Sequence, residues 1–518
     1  MRTREYKYGR TARGSHTQTM IQVLTPVILF IALYVFWNVY NKRSKTNLPP
    51  GSFGWPFLGE TLALVRANWD GVPERFVEER IEKYGSPLVF KTSLLGERMA
   101  VLCGPAGHKF RFANENKLVG AWWPLPIMRL FGRCLLTIRG DETKWMRKML
   151  LSYLSPDAFA THYAATMDVV TRRHIDVHWR GKEQVNVFQT VKLYAFELAC
   201  RLFLSLEEPN HIAKLASLFN IFLKGLLELP INFPGTRFYS AIKARDTIRM
   251  ELMMIIKARR VEIEEGKVSS SQDLLSHLLT SSDENGRYLT EKDIANNILI
   301  LLFAGHDTST AAITFLIKSL GEHPDVYDKV LKEQLEISKA KQVGELLNWE
   351  DIQKMRYSWN VVSEVMRLYP PGFGAFREAL VDIEYAGYTI PKGWKIYLSY
   401  ASLHKDIANF EDVTRFDPSR FEGAGPTPFT YLPFGGGPRM CIGKEFARLE
   451  ILTFLHDIIT NFKWELLIPE EKIEYDPMPT PVKGLPIRLH PHQASDQVRQ
   501  YAVAASNRRT LGTDRDFF

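Results

Sequence analysis

The stretch Phe434-Gly-Gly-Gly-Pro-Arg-Met-Cys441-Ile-Gly443 decides how this 518-residue chain is read. It surrounds one cysteine with residues suited to holding a thiolate against a flat metal cofactor. Gly435, Gly436 and Gly437 permit a tight turn with positive φ and a backbone lying where any Cβ would collide. Pro438 stiffens the turn. Downstream, Ile442, Phe446, Leu449, Leu452, Phe454, Leu455 and Ile458 recur at helical spacing, which predicts a helix over 442–459 with Cys441 at its N-terminus. Free N–H groups and the helix dipole there favour S⁻ over SH. Phe434 could cover the sulfur, Arg439 could pair with a cofactor carboxylate, and Gly443 leaves room beside the metal. A Gly-rich turn around a buried structural cysteine is the alternative.

A second run, Ile298 to Ile317, has 20 mostly apolar residues and by hydropathy alone would pass for a membrane span. Asp307 sits near its middle, and a carboxylate at the bilayer centre costs about 2.5–3.5 kcal/mol even on lenient scales. A long helix buried in protein, with a polar notch facing a cavity, accounts better for it. In Ala304-Gly-His-Asp307-Thr308, Gly305 removes a side chain and the Thr308 hydroxyl can bond the Ala304 carbonyl, which locally opens the helix ladder. The opened turn makes space for a small molecule, and Asp307 beside Thr308 offers an acid and an alcohol able to relay protons. A kink without chemistry is the alternative, and His306 has no assigned ligand role.

Every defined position of Phe-x-x-Gly-x-Arg-x-Cys-x-Gly and of Ala-Gly-x-Asp-Thr is matched. Glu364-Val-Met-Arg367 and Phe416-Asp-Pro-Ser-Arg420-Phe421 match Glu-x-x-Arg and Phe-x-Pro-x-Arg-Phe. In these motifs the chain resembles the cytochrome P-450 family. The resemblance implies a mainly α fold with a small β sheet near Leu88 to Leu102 and Ile383 to Leu398, and haem (heme b) between the Asp307 helix and the Cys441 helix. It implies iron on Cys441, with Phe434, Gly435, Gly437, Arg439, Gly443, Ala304 and Gly305 around the cofactor and Asp307 and Thr308 as catalytic residues. Arg147 and Arg377 join Arg439 as propionate clamps. In Asp141-Glu-Thr-Lys-Trp145-Met-Arg147-Lys148 the family's tryptophan place holds Thr143, so Lys144 and Lys148 compete with Arg147. These three cations could equally form a basic face for the electron donor. Glu364, Arg367 and Arg420 are expected to form a buried structural network behind the haem.

Over the haem the resemblance places Asn116 to Pro126, an apolar and aromatic stretch. Its substrate-binding candidates are Trp122, Trp123, Leu125, Leu302, Phe373, Ala375, Phe376 and Leu485, although the two tryptophans read equally well as packing residues. Glu115-Asn-Lys-Leu-Val, Trp122-Trp-Pro and Pro481-Val-Lys-Gly-Leu-Pro resemble plant triterpene oxidases of the β-amyrin 28-oxidase type. Related plant oxidases of taxanes, phytosterols and hormones share much of this pattern.

Charge excludes one function class. The formal net charge is +8, but residues 1–19 carry +4 and residues 493–518 carry +1, leaving +3 on the body. That balance gives nucleic-acid binding no support. The four cysteines, Cys103, Cys134, Cys200 and Cys441, are widely spaced, as in a reducing compartment.

Length alone would allow three or four domains, but no linker or repeat interrupts residues 60–492, read as one haem-thiolate catalytic domain. Met20 to Tyr40 is 21 residues without a charge, long enough to span a bilayer core of about 30 Å, and is read as a retained transmembrane anchor. Five basic residues precede it and three follow closely; that asymmetry opposes a cytosolic catalytic domain unless translation begins at Met20. Residues 1–19 are accordingly read as a basic upstream extension, 41–59 as a basic and proline-rich hinge, and 493–518 as a disordered tail.

The expected activity is monooxygenation of an unactivated C–H bond in a hydrophobic terpenoid, with O2 and with NADPH acting through a separate NADPH-cytochrome P-450 reductase. The product is an alcohol, open to further oxidation to aldehyde and acid. No Gly-x-Gly-x-x-Gly nucleotide site in a βαβ setting is present. The expected location is the endoplasmic reticulum membrane, single-pass, with the catalytic domain cytosolic. The rivals are an O2-independent hydroperoxide-rearranging enzyme and a non-catalytic haem sensor.

Overall fold

The computed structural model describes residues 47–492 apart from 155–157, 343 and 373, together with Thr25, Leu29 and Ala32. The expected N-terminal extension, the anchor apart from those three positions, the basic part of the hinge, the C-terminal tail and Phe373 lie outside the described residues.

The apolar run around Asp307 is the middle of a helix spanning Glu291–Glu322, 32 residues long. Its N-terminus is capped by Thr290, whose hydroxyl oxygen accepts from the Asp293 N–H at 3.1 Å. Glu291 and Asp293 place negative charge on the positive end of the dipole. At the other end Pro324 opens the next helix, and the missing N–H stops continuation. The helix is long and apolar enough to cross a membrane, yet most of it is buried inside the protein.

Burial obliges its polar groups to find partners. Asn297 accepts from the Leu135 N–H at 2.9 Å and donates to the Asp293 carbonyl at 2.8 Å. The Trp464 indole donates to the Ile317 carbonyl at 3.0 Å. Lengthwise against it lies the helix Val187–Leu204. Behind that pair, Tyr194 and Trp179 close on Phe454 of the helix Lys444–Asn461, at ring separations of 4.9 and 5.8 Å. These helices form the centre of the main core.

The small β structure is more divided than expected. Val89–Leu94, Glu97–Leu102, Lys395–Ser399, Gly374–Ala379 and Val119–Ala121 form one five-stranded sheet in that order. Lys395–Ser399 runs parallel to Glu97–Leu102 and antiparallel to Gly374–Ala379. Ile383–Tyr385 and Tyr388–Ile390 pair only with each other, as a separate ribbon. The sheet matters to the site because Arg377 is held in register opposite Ile396 on one side and Ala121 on the other.

Glu364 and Arg367, on the helix Arg356–Leu368, have no exposed side-chain surface. Two parallel hydrogen bonds of 2.7 and 2.8 Å join them. The remaining Arg367 donors reach the carbonyls of His404, Val413 and Arg415. Glu364 also accepts from the Asp417 N–H at 2.9 Å and lies 3.5 Å from Arg420. A buried guanidinium without its carboxylate is an uncompensated charge, so Glu364→Ala should destabilise the fold by about 3–5 kcal/mol. Denaturant unfolding of the two proteins side by side measures this, and a loss below about 1 kcal/mol would contradict it.

Candidate active site

A cavity of about 450 Å³ separates the long helix from the Cys441 loop. The loop is shaped by glycine. Gly435 and Gly437 hold φ of 66° and 65°. A Cβ on Gly436 would come within 2.7 Å of the Phe112 ring. The Cys441 N–H donates to the Phe434 carbonyl at 2.9 Å, closing the turn, and Phe434 stacks beside Trp359. The following helix begins at Lys444 with Gly443 as its cap, two residues later than the apolar spacing predicts. Residues 442–443 form a turn instead, which leaves Cys441 just ahead of the helix.

Cys441 is open to the cavity and enclosed by protein elsewhere. Burial pushes its thiol up, while the Gly443 N–H and the charge of Arg147 pull it down. The expected preference for thiolate is thus opposed by desolvation. Cys103, Cys134 and Cys200 are buried, and burial raises all three, Cys103 to about 12.

Four arginines line the same cavity: Arg111, Arg147, Arg377 and Arg439. No acidic side chain lines it among the described residues. Arg439 donates to Thr143 Oγ1 at 2.9 Å, and burial with the neighbouring Arg377 lowers it to about 10. Arg377 donates to Glu115 at 2.7 Å. Arg111 donates to the Gly436 carbonyl at 3.1 Å. The competing Lys144 and Lys148 lie on the outer surface, paired with Asp141 and Glu284, whereas Arg147 reaches the cavity.

Across from the cysteine, Ala304, Gly305 and Thr308 line the wall. The Thr308 hydroxyl donates to the Ala304 carbonyl at 2.6 Å. Asp307 does not line the cavity; it lies 3.1 Å from Lys192 of the neighbouring helix. His306 is buried, its Nδ1 2.6 Å from the Leu302 carbonyl, and burial lowers its pKa.

A soft sulfur, a glycine cradle and excess buried positive charge fit a flat, metal-centred macrocycle with two carboxylates. The Nε of Arg111, buried and without a partner, leaves a donor for such a carboxylate.

The substrate-side candidates divide. Trp123 and Ala375 line the cavity, and Trp123 also donates to the Leu136 carbonyl at 3.1 Å. Trp122 and Phe376 pack edge to face beneath the sheet, Leu125 is 49% exposed, and Leu302 and Leu485 are buried in the main core. None of these five lines the cavity. For Leu302 the reason is helical phase: Ile300, Ala304 and Thr308 share the cavity face, and Leu302 points away from it.

Sequence reasoning missed Arg111, Glu115, Leu226, Leu227 and Met478. Arg111 belongs to no motif, and Glu115 heads the Glu115-Asn-Lys-Leu-Val phrase without a role having been read for it; that phrase was the available signal. Leu226, Leu227 and Met478 come from connections whose approach to the cavity no local periodicity encodes.

Comparison with known proteins agrees with this geometry. Residues 49–488 match the family model described as Cytochrome P450, and the chain belongs to that family. It is therefore a haem-thiolate monooxygenase, an oxidoreductase that activates O2 at a cysteine-ligated iron with electrons supplied to it. Among curated relatives, a beta-amyrin 28-monooxygenase of Vitis vinifera is 52% identical, covering 91% of this chain and 99% of that protein. One of Solanum lycopersicum is 53% identical, covering 90% and 98%. A protopanaxadiol 6-hydroxylase of Panax ginseng is 48% identical, covering 90% and 97%. The structure of retinoic acid-bound cyanobacterial CYP120A1 superposes with a TM-score of 0.79 at 34% identity, covering 86% of this chain and all of that one.

Behind the site, Ser309 donates to the buried Glu450 at 2.5 Å, and burial raises this carboxyl from its ordinary 4.5 to about 8. The folded state therefore holds the proton more tightly than the unfolded chain does. This contribution to stability is complete below pH 4.5 and lost as pH rises through about 8. Urea unfolding should show stability falling across that window, and Glu450→Gln should flatten the slope; an unchanged slope would contradict the assignment.

Proposed function

We propose that the protein hydroxylates an unactivated C–H bond of a pentacyclic triterpene of the β-amyrin type, at the position named in its relatives, carbon 28. Cys441 would hold the haem iron through its sulfur, and Arg147, Arg377 and Arg439 would hold the propionates. The observation that carries the reading is sequence identity of about one half to several beta-amyrin 28-monooxygenases over nine tenths of the chain. The apolar lining of the cavity suits a rigid hydrocarbon. The protopanaxadiol 6-hydroxylase relative supports a second reading, oxidation elsewhere on a related skeleton.

A bound haem would supply O2 activation, one oxygen atom entering the C–H bond and the other leaving as water with the electron pair from the reductase and a pair of protons. The chain's own residues do the rest. Ile127, Phe131, Leu301 and Met478 exclude water and orient the hydrocarbon by contact. Gly305 brings no side chain, and Ala304 only a methyl group, to the cavity wall across from Cys441. Thr308 presents a hydroxyl on the cavity wall that can pass a proton inward, and Asp307, the preceding residue on another face of the helix, is the acid that can replenish it.

Electrons are assigned to a separate NADPH-cytochrome P-450 reductase, and the protein to the endoplasmic reticulum membrane, with residues 20–40 as a single span and the catalytic domain cytosolic. Exposed apolar residues support membrane contact: Trp55, Phe57 and Trp69 on one segment and Leu229, Ile231 and Phe233 on another. Both flank Ile473 to Asp476, which touches Gly71 on one side and feels the charges of Glu228 and Arg237 on the other.

Co-expression with a plant reductase in cells making β-amyrin should yield a mono-oxygenated product by mass spectrometry, with its acid on longer culture. Conversion only of diterpenes or sterols would overturn the substrate assignment. Turnover without O2 or NADPH would favour the hydroperoxide rival instead, and no turnover of any substrate in the haem-loaded protein would favour the sensor. Thr308→Ala should leave haem content and unfolding midpoint unchanged and lower product per NADPH consumed by about 10²-fold. Cys441→Ala should abolish the thiolate-type band of the reduced, carbon monoxide-treated protein.

A further inference from the structure

The arginine-lined end of the cavity has one acid behind it. Glu115, at the end of the helix Gly104–Asn114, has a side chain only 1% exposed, and it does not line the cavity. One carboxylate oxygen accepts from Arg377 Nε at 2.7 Å. The other lies 3.3 Å from Arg439 Nε and makes no hydrogen bond. Arg377 comes from the sheet and Arg439 from the cysteine loop, so Glu115 joins two elements far apart in sequence. Arg111, one turn earlier on the same helix, faces the same cavity. Among the described residues no other carboxylate pairs with Arg377 or Arg439.

We propose that Glu115 is a positioning residue for the haem. It aims Arg377 and Arg439 at the propionates, and its negative charge holds down the reduction potential of the iron. The physical reason is Coulombic: reduction adds an electron to the cofactor, four nearby cations favour that electron, and one buried anion opposes it. In a low-dielectric setting a single buried charge is weakly screened. A neutral side chain of the same shape would keep part of the hydrogen bonding to Arg377 and remove only the charge.

The inference rests on the haem assignment, which the haem content of the unsubstituted protein checks separately. The test compares full-length, haem-loaded protein with Glu115→Gln and Glu115→Asp, reading haem-to-protein ratio and midpoint potential by spectroelectrochemical titration. Glu115→Gln should retain haem and shift the midpoint in the positive direction, with Glu115→Asp close to the parent. A Glu115→Gln protein with full haem and an unshifted potential would overturn the proposal, since a purely structural role does not set the potential. Should Glu115→Gln lose its haem, Glu115→Asp decides. Retention at the parental potential supports a charge role, and equal loss overturns it.

Discussion

The site depends on one guanidinium. Arg367 has no contact with solvent, and it joins the Arg356–Leu368 helix by three carbonyls to the segment that leads into the Cys441 loop, while its partner Glu364, on the same helix, accepts from the Asp417 N–H. Buried ion pairs are poor stabilisers when compared with well-packed apolar groups, but they are unforgiving of misplacement. Here that intolerance fixes the chain approaching the cysteine. His404 adds to it by accepting from the Leu432 N–H at 2.8 Å, two residues before the glycine turn. The cysteine's position is therefore specified from behind, by polar groups that take no part in the reaction.

The cavity is electrically lopsided. Its arginines collect at one end, drawn from the helix Gly104–Asn114, the helix Asp141–Leu151, the sheet and the loop, while the opposite end is almost wholly hydrocarbon. Such a chamber has one orientation for an amphiphilic flat cofactor, carboxylates towards the guanidinia. What is left over is a dry space shaped by Phe131, Leu301, Leu226 and Met478. The same lopsidedness explains why burial raises the Cys441 thiol without isolating it, since Arg147 partly offsets the desolvation.

Short-range pattern made much of this legible. The glycine turn and the long helix with its threonine back-bond are set by spacing within a few residues, and they stand where spacing puts them, whereas the Glu364–Arg367–Arg420 cluster spans distant segments and is expected from the family resemblance. The helix after Cys441 starts later than expected because Ile442 and Gly443 form a turn, which apolar periodicity cannot distinguish from a first helical turn. The pocket was least legible. Leu302 and Leu485 carry the right chemistry in the wrong phase, and Trp122 and Phe376 spend their rings on each other. Arg111 and Glu115 acquire meaning only once the sheet brings Arg377 beside them, a contact across 262 positions of chain. Local sequence holds no trace of such an encounter.

Thr308 and Asp307 are neighbours in the chain yet look out from different sides of the same rod, one upon the chamber and the other upon Lys192. Water-borne hydrogen ions arriving through the acid would thus have a doorway of their own. The oily guest could fill its room completely and still leave that supply line open.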